Sequence, residues 1–146
     1  MKSKLKIILL ILLVGLVSGC SPLNSYQAGI YDDDAKIANQ GDSYTFGNRL
    51  GSVKETSLHL EFGGFYGKQT VKEFQVETQR VVKLKITIKL ASGKFKVVLI
   101  DADKDVSILG EGKIDGSYDV PLTQGRNAIV IVGKNANGEV SMLFGE

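Results

Sequence analysis

The sequence predicts an all-β protein: a two-sheet β-sandwich, jelly-roll-like in topology, with about eight antiparallel strands, preceded by a signal-peptide helix and a flexible tether. Three observations predict it. From residue 57 onward apolar side chains recur at every second position, the spacing of a strand with one buried and one wet face. Turn residues interrupt this pattern roughly every 8–12 residues. No helical stretch long enough for a crossover separates the runs, which disfavours a parallel sheet. The 146 residues fit a single folded domain.

Residues 1–19 come first. Lys2, Lys4 and Lys6 form a positive start, and Ile7 to Val17 is an apolar run broken only by Gly15. A membrane-crossing helix needs about 20 apolar residues, so this run has the length of a signal-peptide core. The lysines also account for the charge. The chain carries a net +2, but residues 1–19 contain three bases and no acid, so the remainder is slightly acidic. A basic, nucleic-acid-binding protein is thereby disfavoured, and no nucleic-acid partner is expected.

The run ends in Val17-Ser18-Gly19-Cys20. This segment resembles the lipobox of bacterial lipoproteins, in which an aliphatic residue and two small residues precede a cysteine. The consensus prefers Leu where this chain has Val17. The resemblance implies a diacylglyceryl thioether on Cys20 and signal-peptidase cleavage between Gly19 and Cys20. It also implies a lipid-anchored protein on the extracytoplasmic face of the cell membrane. Cys20 is the only cysteine, so a lipidated chain has no thiol left for a disulfide and its fold rests on its core.

Residues 20–45 read as the lipidated N-terminus and tether. Pro22, Asn24, Gly29, Asn39 and Gly41 are linker residues. About 20 flexible residues reach roughly 25 Å. There is room for one helical turn around Asp34–Ala38. The cluster Asp32-Asp33-Asp34 reads as solvated.

Residues 46–146 make the sandwich. Val82, Leu84, Ile86, Ile88 and Leu90 alternate with Lys83, Lys85, Thr87 and Lys89. Leu58, Leu60 and Phe62 alternate in the same way, as do Phe74 with Val76, Phe95 with Val97 and Leu99, Tyr118 with Val120 and Leu122, and Val140 with Met142 and Phe144. Ala128 to Val132 is apolar throughout, as expected for a strand buried on both faces. The breaks at Gly63-Gly64, Ser92-Gly93, Ala102 to Lys104 and Asn135 to Gly138 read as turns between successive strands.

Four features are candidate sites. Asp101-Ala102-Asp103-Lys104-Asp105 begins like a calcium loop, but Val106 and Gly112 stand where such a loop needs Gly and Glu, so a hairpin turn is expected and Ca²⁺ through Asp101, Asp103 and Asp105 is the alternative. No other metal or cofactor is expected. Phe65 and Tyr66, in a glycine-rich segment, could stack on sugar rings or close one end of the core. His59, the only histidine, reads as exposed or paired across strands rather than as part of a triad. Residues 80–100 hold six bases and no acid. Within them Lys83, Lys85 and Lys89 form a line about 20 Å long on one strand face. That line is either paired with carboxylates such as Glu73 and Glu77 or forms a patch for an anionic envelope polymer or lipid headgroups.

No GxSxG, HExxH or GxxxxGK[ST] motif occurs, and an enzyme is not expected. The body is loosely similar to small β-sandwich lipoproteins of Gram-positive-type bacteria, through SGKFKVVLID, the acidic turn after it and GKNANGEV. The expected role is a non-enzymatic, membrane-anchored binding or scaffolding module whose partner is an envelope polymer or another envelope protein. The alternative is a module that binds envelope glycans, and a small hydrolase ranks below both.

Overall fold

A computed structural model describes residues 22–145. Two helices, α1 (Pro22–Ile30) and α2 (Asp34–Ala38), precede seven strands: β1 (Ser43–Thr45), β2 (Asn48–Val53), β3 (Ser57–Val76), β4 (Arg80–Ile100), β5 (Val106–Glu111), β6 (Ile114–Leu122) and β7 (Gly125–Phe144). All pairings are antiparallel.

The protein is all-β, and its sandwich comes from three long strands folded over. β3, β4 and β7 run 20, 21 and 20 residues. Their first-leaf portions pair in the order β2-β3-β7-β4-β6. Their other portions pair with β1 and β5 in the order β1-β3-β7-β4-β5. Along the ladders with β7, register shifts fall between Phe62 and Gly67 and between Thr70 and Lys72 in β3, and between Leu90 and Lys94 in β4. Each shift exchanges which alternate residues point inward, because side chains in a strand have a period of two. In β4 the buried set is Val82, Leu84, Ile86 and Ile88 before the bend, and Phe95, Val97 and Leu99 after it. Both sets join one core cluster with Leu58, Leu60, Ile129, Ile131, Val140 and Met142.

The expected breaks at Gly63-Gly64, Ser92-Gly93 and Asn135 to Gly138 are therefore bends within continuous strands. Gly93 has φ +78°, and a Cβ there would meet the backbone of Asn135 on the adjacent strand, so the bend needs glycine.

Of the segment expected as a slack tether, the described part beginning at Pro22 is instead built into the fold. Asp33 caps α2 by accepting from the backbone N–H of Lys36 at 3.1 Å. Ile30, Tyr31 and Ile37 are buried against Val98, Val130 and Val132 on the outer face of the second leaf. This explains the unbroken apolar run of β7, which has the core on one side and the helices on the other. Lys68 is buried and its Nζ donates to the carbonyls of Ile37, at 2.7 Å, and Asn39, satisfying acceptors at the end of α2. Tyr31 donates to Glu111 at 2.6 Å, the Lys96 ammonium lies 4.6 Å from its ring centroid, and Lys134 pairs with Asp32 at 3.0 Å. The tether reading failed because helices this short carry little periodic signal, while a few large apolar residues suffice to dock them. The helical turn expected at Asp34–Ala38 is present.

Candidate functional site

The outer face of the first leaf holds the candidate site. Register alone brings its residues together. Ser52 on β2 lies opposite His59 on β3, His59 opposite Ser141 on β7, Ser141 opposite Thr87 on β4, and Thr87 opposite Asp115 on β6. One polar row therefore crosses all five strands. His59 Nδ1 is 2.8 Å from Ser141 Oγ, and the Thr87 hydroxyl donates to Asp115 at 3.0 Å. The next row is Ser57, Leu143, Lys85 and Ser117.

Between these rows runs an open groove of about 370 Å³. It is lined by Ser52, Ser57, Thr87 and Ser141, by His59, Lys54 and Lys85, and by Leu58, Met142 and Leu143. Leu143 is 57% exposed, an apolar surface set among polar groups. That volume lies at the small end of the usual range for ligand sites. Hydroxyl and imidazole groups can exchange hydrogen bonds with a polyhydroxylated molecule, while Leu143 can meet an apolar face.

The lysine line resolves into three different environments. Lys83 pairs with Asp119 on β6 at 2.9 Å, and Lys89 pairs with Glu139 on β7 at 2.6 Å. The Lys89 hydrogen bond holds the Glu139 carboxyl below the usual range. Lys85 lies between them opposite Ser117 and Leu143, and among the described residues it has no acidic partner within ion-pair distance. The expected pairing of charges is real for two of the three lysines, but the partners are not Glu73 and Glu77. Glu73 pairs instead with Arg126, which holds its carboxyl low. Lys94 and Lys96 belong to the opposite leaf, beside Tyr31.

Phe65 is corrected as a stacking platform. It is fully buried, lies parallel to Phe46 at 4.4 Å between centroids, and packs near Phe62 and Phe95. Its ring fills the space above Gly133. It closes the core at the bend, because the shift after Phe62 turns position 65 inward. Tyr66 is half-buried opposite Thr45 of β1, away from the groove.

Asp101 is used by its own turn. Its Oδ1 accepts from the backbone N–H groups of Asp103 and Asp105, both at 2.9 Å. Lys104 closes the turn at φ 66°. Asp101, Asp103 and Asp105 lie in the hairpin turn between β4 and β5, and among the described residues no three acidic, imidazole or thiol groups are grouped as metal ligands. Gly19 and Cys20 lie outside the described residues. Among those described, no helix is long and apolar enough to cross a membrane.

Sequence reasoning missed Ser52, Lys54, Ser141 and Leu143. Nothing local marks them, since only the pairing register makes them neighbours of His59 and Lys85.

No family model matches this sequence, and no curated protein matches it. Among solved structures, it is similar to a carbohydrate binding module of Cellvibrio mixtus lichenase 5A in complex with cellotriose, at 10% identity and TM-score 0.41, over 76% of this chain and 93% of that one. It is also similar to a family 35 carbohydrate binding module from an environmental isolate, at 13% identity and TM-score 0.36, over 74% and 80%. The Drosophila melanogaster CENP-C cupin domain is similar at 13% identity and TM-score 0.35, over 82% and 94%.

Proposed function

We propose that this protein is a non-catalytic glycan-binding module, held at the extracytoplasmic face of the cell membrane by a lipid on Cys20. The observation that carries the binding reading is the groove on the first leaf, which Ser52, His59, Ser141 and Thr87, one each from β2, β3, β7 and β4, line together with the exposed Leu143. A sugar offers the matching surface, with hydroxyls around its edge and C–H groups on its faces.

Three groups, Ser141, His59 and Glu61, superficially suggest nucleophilic catalysis, and their geometry favours binding instead. His59 Nε2 is 3.7 Å from Glu61, too far for the hydrogen bond that orients a catalytic imidazole. Ser141 sits within β7, paired on both sides by β3 and β4, so its neighbouring backbone N–H groups are committed to ladders rather than to an oxyanion.

The anchor rests on the lipobox resemblance. One residue, Ser21, separates Cys20 from the first residue of α1. Two residue steps span at most about 7 Å, so a lipid on Cys20 holds the folded body close to the membrane surface. Two acyl chains at about 0.8 kcal/mol per buried CH₂ make such attachment persistent.

The test is an array of neutral and acidic glycans probed with the full chain in detergent. Binding is expected, weakened at least tenfold by His59→Ala with Ser141→Ala. Absence of binding, or binding indifferent to that pair, overturns the reading.

A further inference from the structure

We infer that the ligand is an acidic polysaccharide, with a carboxylate or phosphate group placed at Lys85. This inference rests on the glycan-binding reading and adds the ligand's charge. Lys83 and Lys89 occupy the same strand face as Lys85, and each is matched by a carboxylate on a neighbouring strand. Register gives Lys85 only Ser117 and Leu143 as cross-strand neighbours. The one lysine of the three left without an acidic partner is the one that lines the groove.

The rest of the wall has the same bias. Lys54 and His59 also line the groove, and no Asp or Glu does. The carboxylates around it are engaged elsewhere: Asp115 accepts the Thr87 hydroxyl, Asp119 pairs with Lys83, Glu139 pairs with Lys89, and Glu61 lies 3.7 Å from His59 Nε2. Two ammonium groups beside several hydroxyls suit an anion carried on a polyhydroxylated chain. Of the three lysines on this strand face, Lys85 alone has its charge unmatched by a carboxylate within ion-pair distance. Leu143, exposed next to Lys85, offers contact to the adjoining sugar.

The experiment compares matched polymers that differ only in charge, using the full chain in detergent. The probes are dextran, carboxymethyl-dextran and phosphorylated dextran, together with polygalacturonate and its fully methyl-esterified form. At least one acidic polymer is expected to bind at least tenfold more tightly than its neutral twin. A preference for the carboxylate or the phosphate polymer identifies the anion. Lys85→Gln is expected to abolish the preference, Lys85→Arg to keep it, and Lys104→Gln, in a turn outside the groove, to leave it unchanged. Equal binding of acidic and neutral twins, sensitive to His59→Ala, overturns the inference and leaves the glycan reading standing. A preference that survives Lys85→Gln, or falls equally with Lys104→Gln, reflects diffuse charge and also overturns it. Binding to none of the polymers overturns both.

Discussion

His59 Nδ1 lies 2.8 Å from Ser141 Oγ across the β3–β7 ladder, at the centre of a polar row five strands wide. Both side chains belong to the outer face of the first leaf, beyond the core. Their removal therefore separates binding from folding. His59→Ala and Ser141→Ala are each expected to change unfolding free energy by less than about 1 kcal/mol, as is usual for polar positions outside the core. Urea denaturation checks this, and the glycan array reads the loss of binding in the same proteins.

Phe65 gives the opposite pattern. Its ring is fully buried between the leaves and stacks on Phe46. Phe65→Ala is expected to cost about 3–5 kcal/mol, the range for deleting a buried aromatic side chain. Tyr66→Ala, at a half-buried edge position, is expected to cost much less. If the two variants have equal midpoints in urea, the assignment of Phe65 to the core is wrong.

Tyr31 sets the response to alkali. Burial first, and then its hydrogen bond to Glu111, push its phenol well above the ordinary value near 10. The folded state thus favours the protonated phenol. Its contribution is complete below pH 10 and declines as pH rises through the range where the unfolded chain ionises first. Stability of the natural protein should fall between about pH 10 and 11 more steeply than that of Tyr31→Phe, which has no phenol to ionise. At neutral pH the same substitution is expected to cost about 1 kcal/mol for the lost hydrogen bond. Parallel curves for the two proteins across alkaline pH would exclude this role.

Lipidation is checked by expressing the chain in a bacterium. Radiolabelled palmitate is expected to enter the natural chain, and Cys20→Ala is expected to eliminate the label and release the protein from the membrane fraction. Label that persists in the variant contradicts the anchor.

The strands were legible because their cause is local. Val82 to Leu90 alternates without error, and a half-wet strand needs little more. The meaning of the glycine-containing breaks was not legible, since Gly63-Gly64 and Ser92-Gly93 look the same whether the chain reverses or bends. What distinguishes them is the bulge, visible in sequence only as the shift of buried positions from Ile88 to Phe95. The docking of α1 and α2 was hidden for a related reason. Ile30, Tyr31 and Ile37 fit no long helical pattern, and their value lies in the face of β7 they cover. The groove depends on register throughout. Lys85 differs from Lys83 and Lys89 only through what stands opposite, and a single-residue slip would have moved Asp119 or Glu139 elsewhere.

The most direct measurement is chemical-shift mapping of the ¹⁵N-labelled full chain in micelles, titrated with short oligogalacturonates and with glycans selected from the array. The account predicts saturable shifts concentrated at Ser52, His59, Lys85, Ser141 and Leu143, with little change at Tyr31, Lys68 and the helices. Shifts centred on the helical face of the second leaf, or none on the first leaf at millimolar ligand, would contradict it.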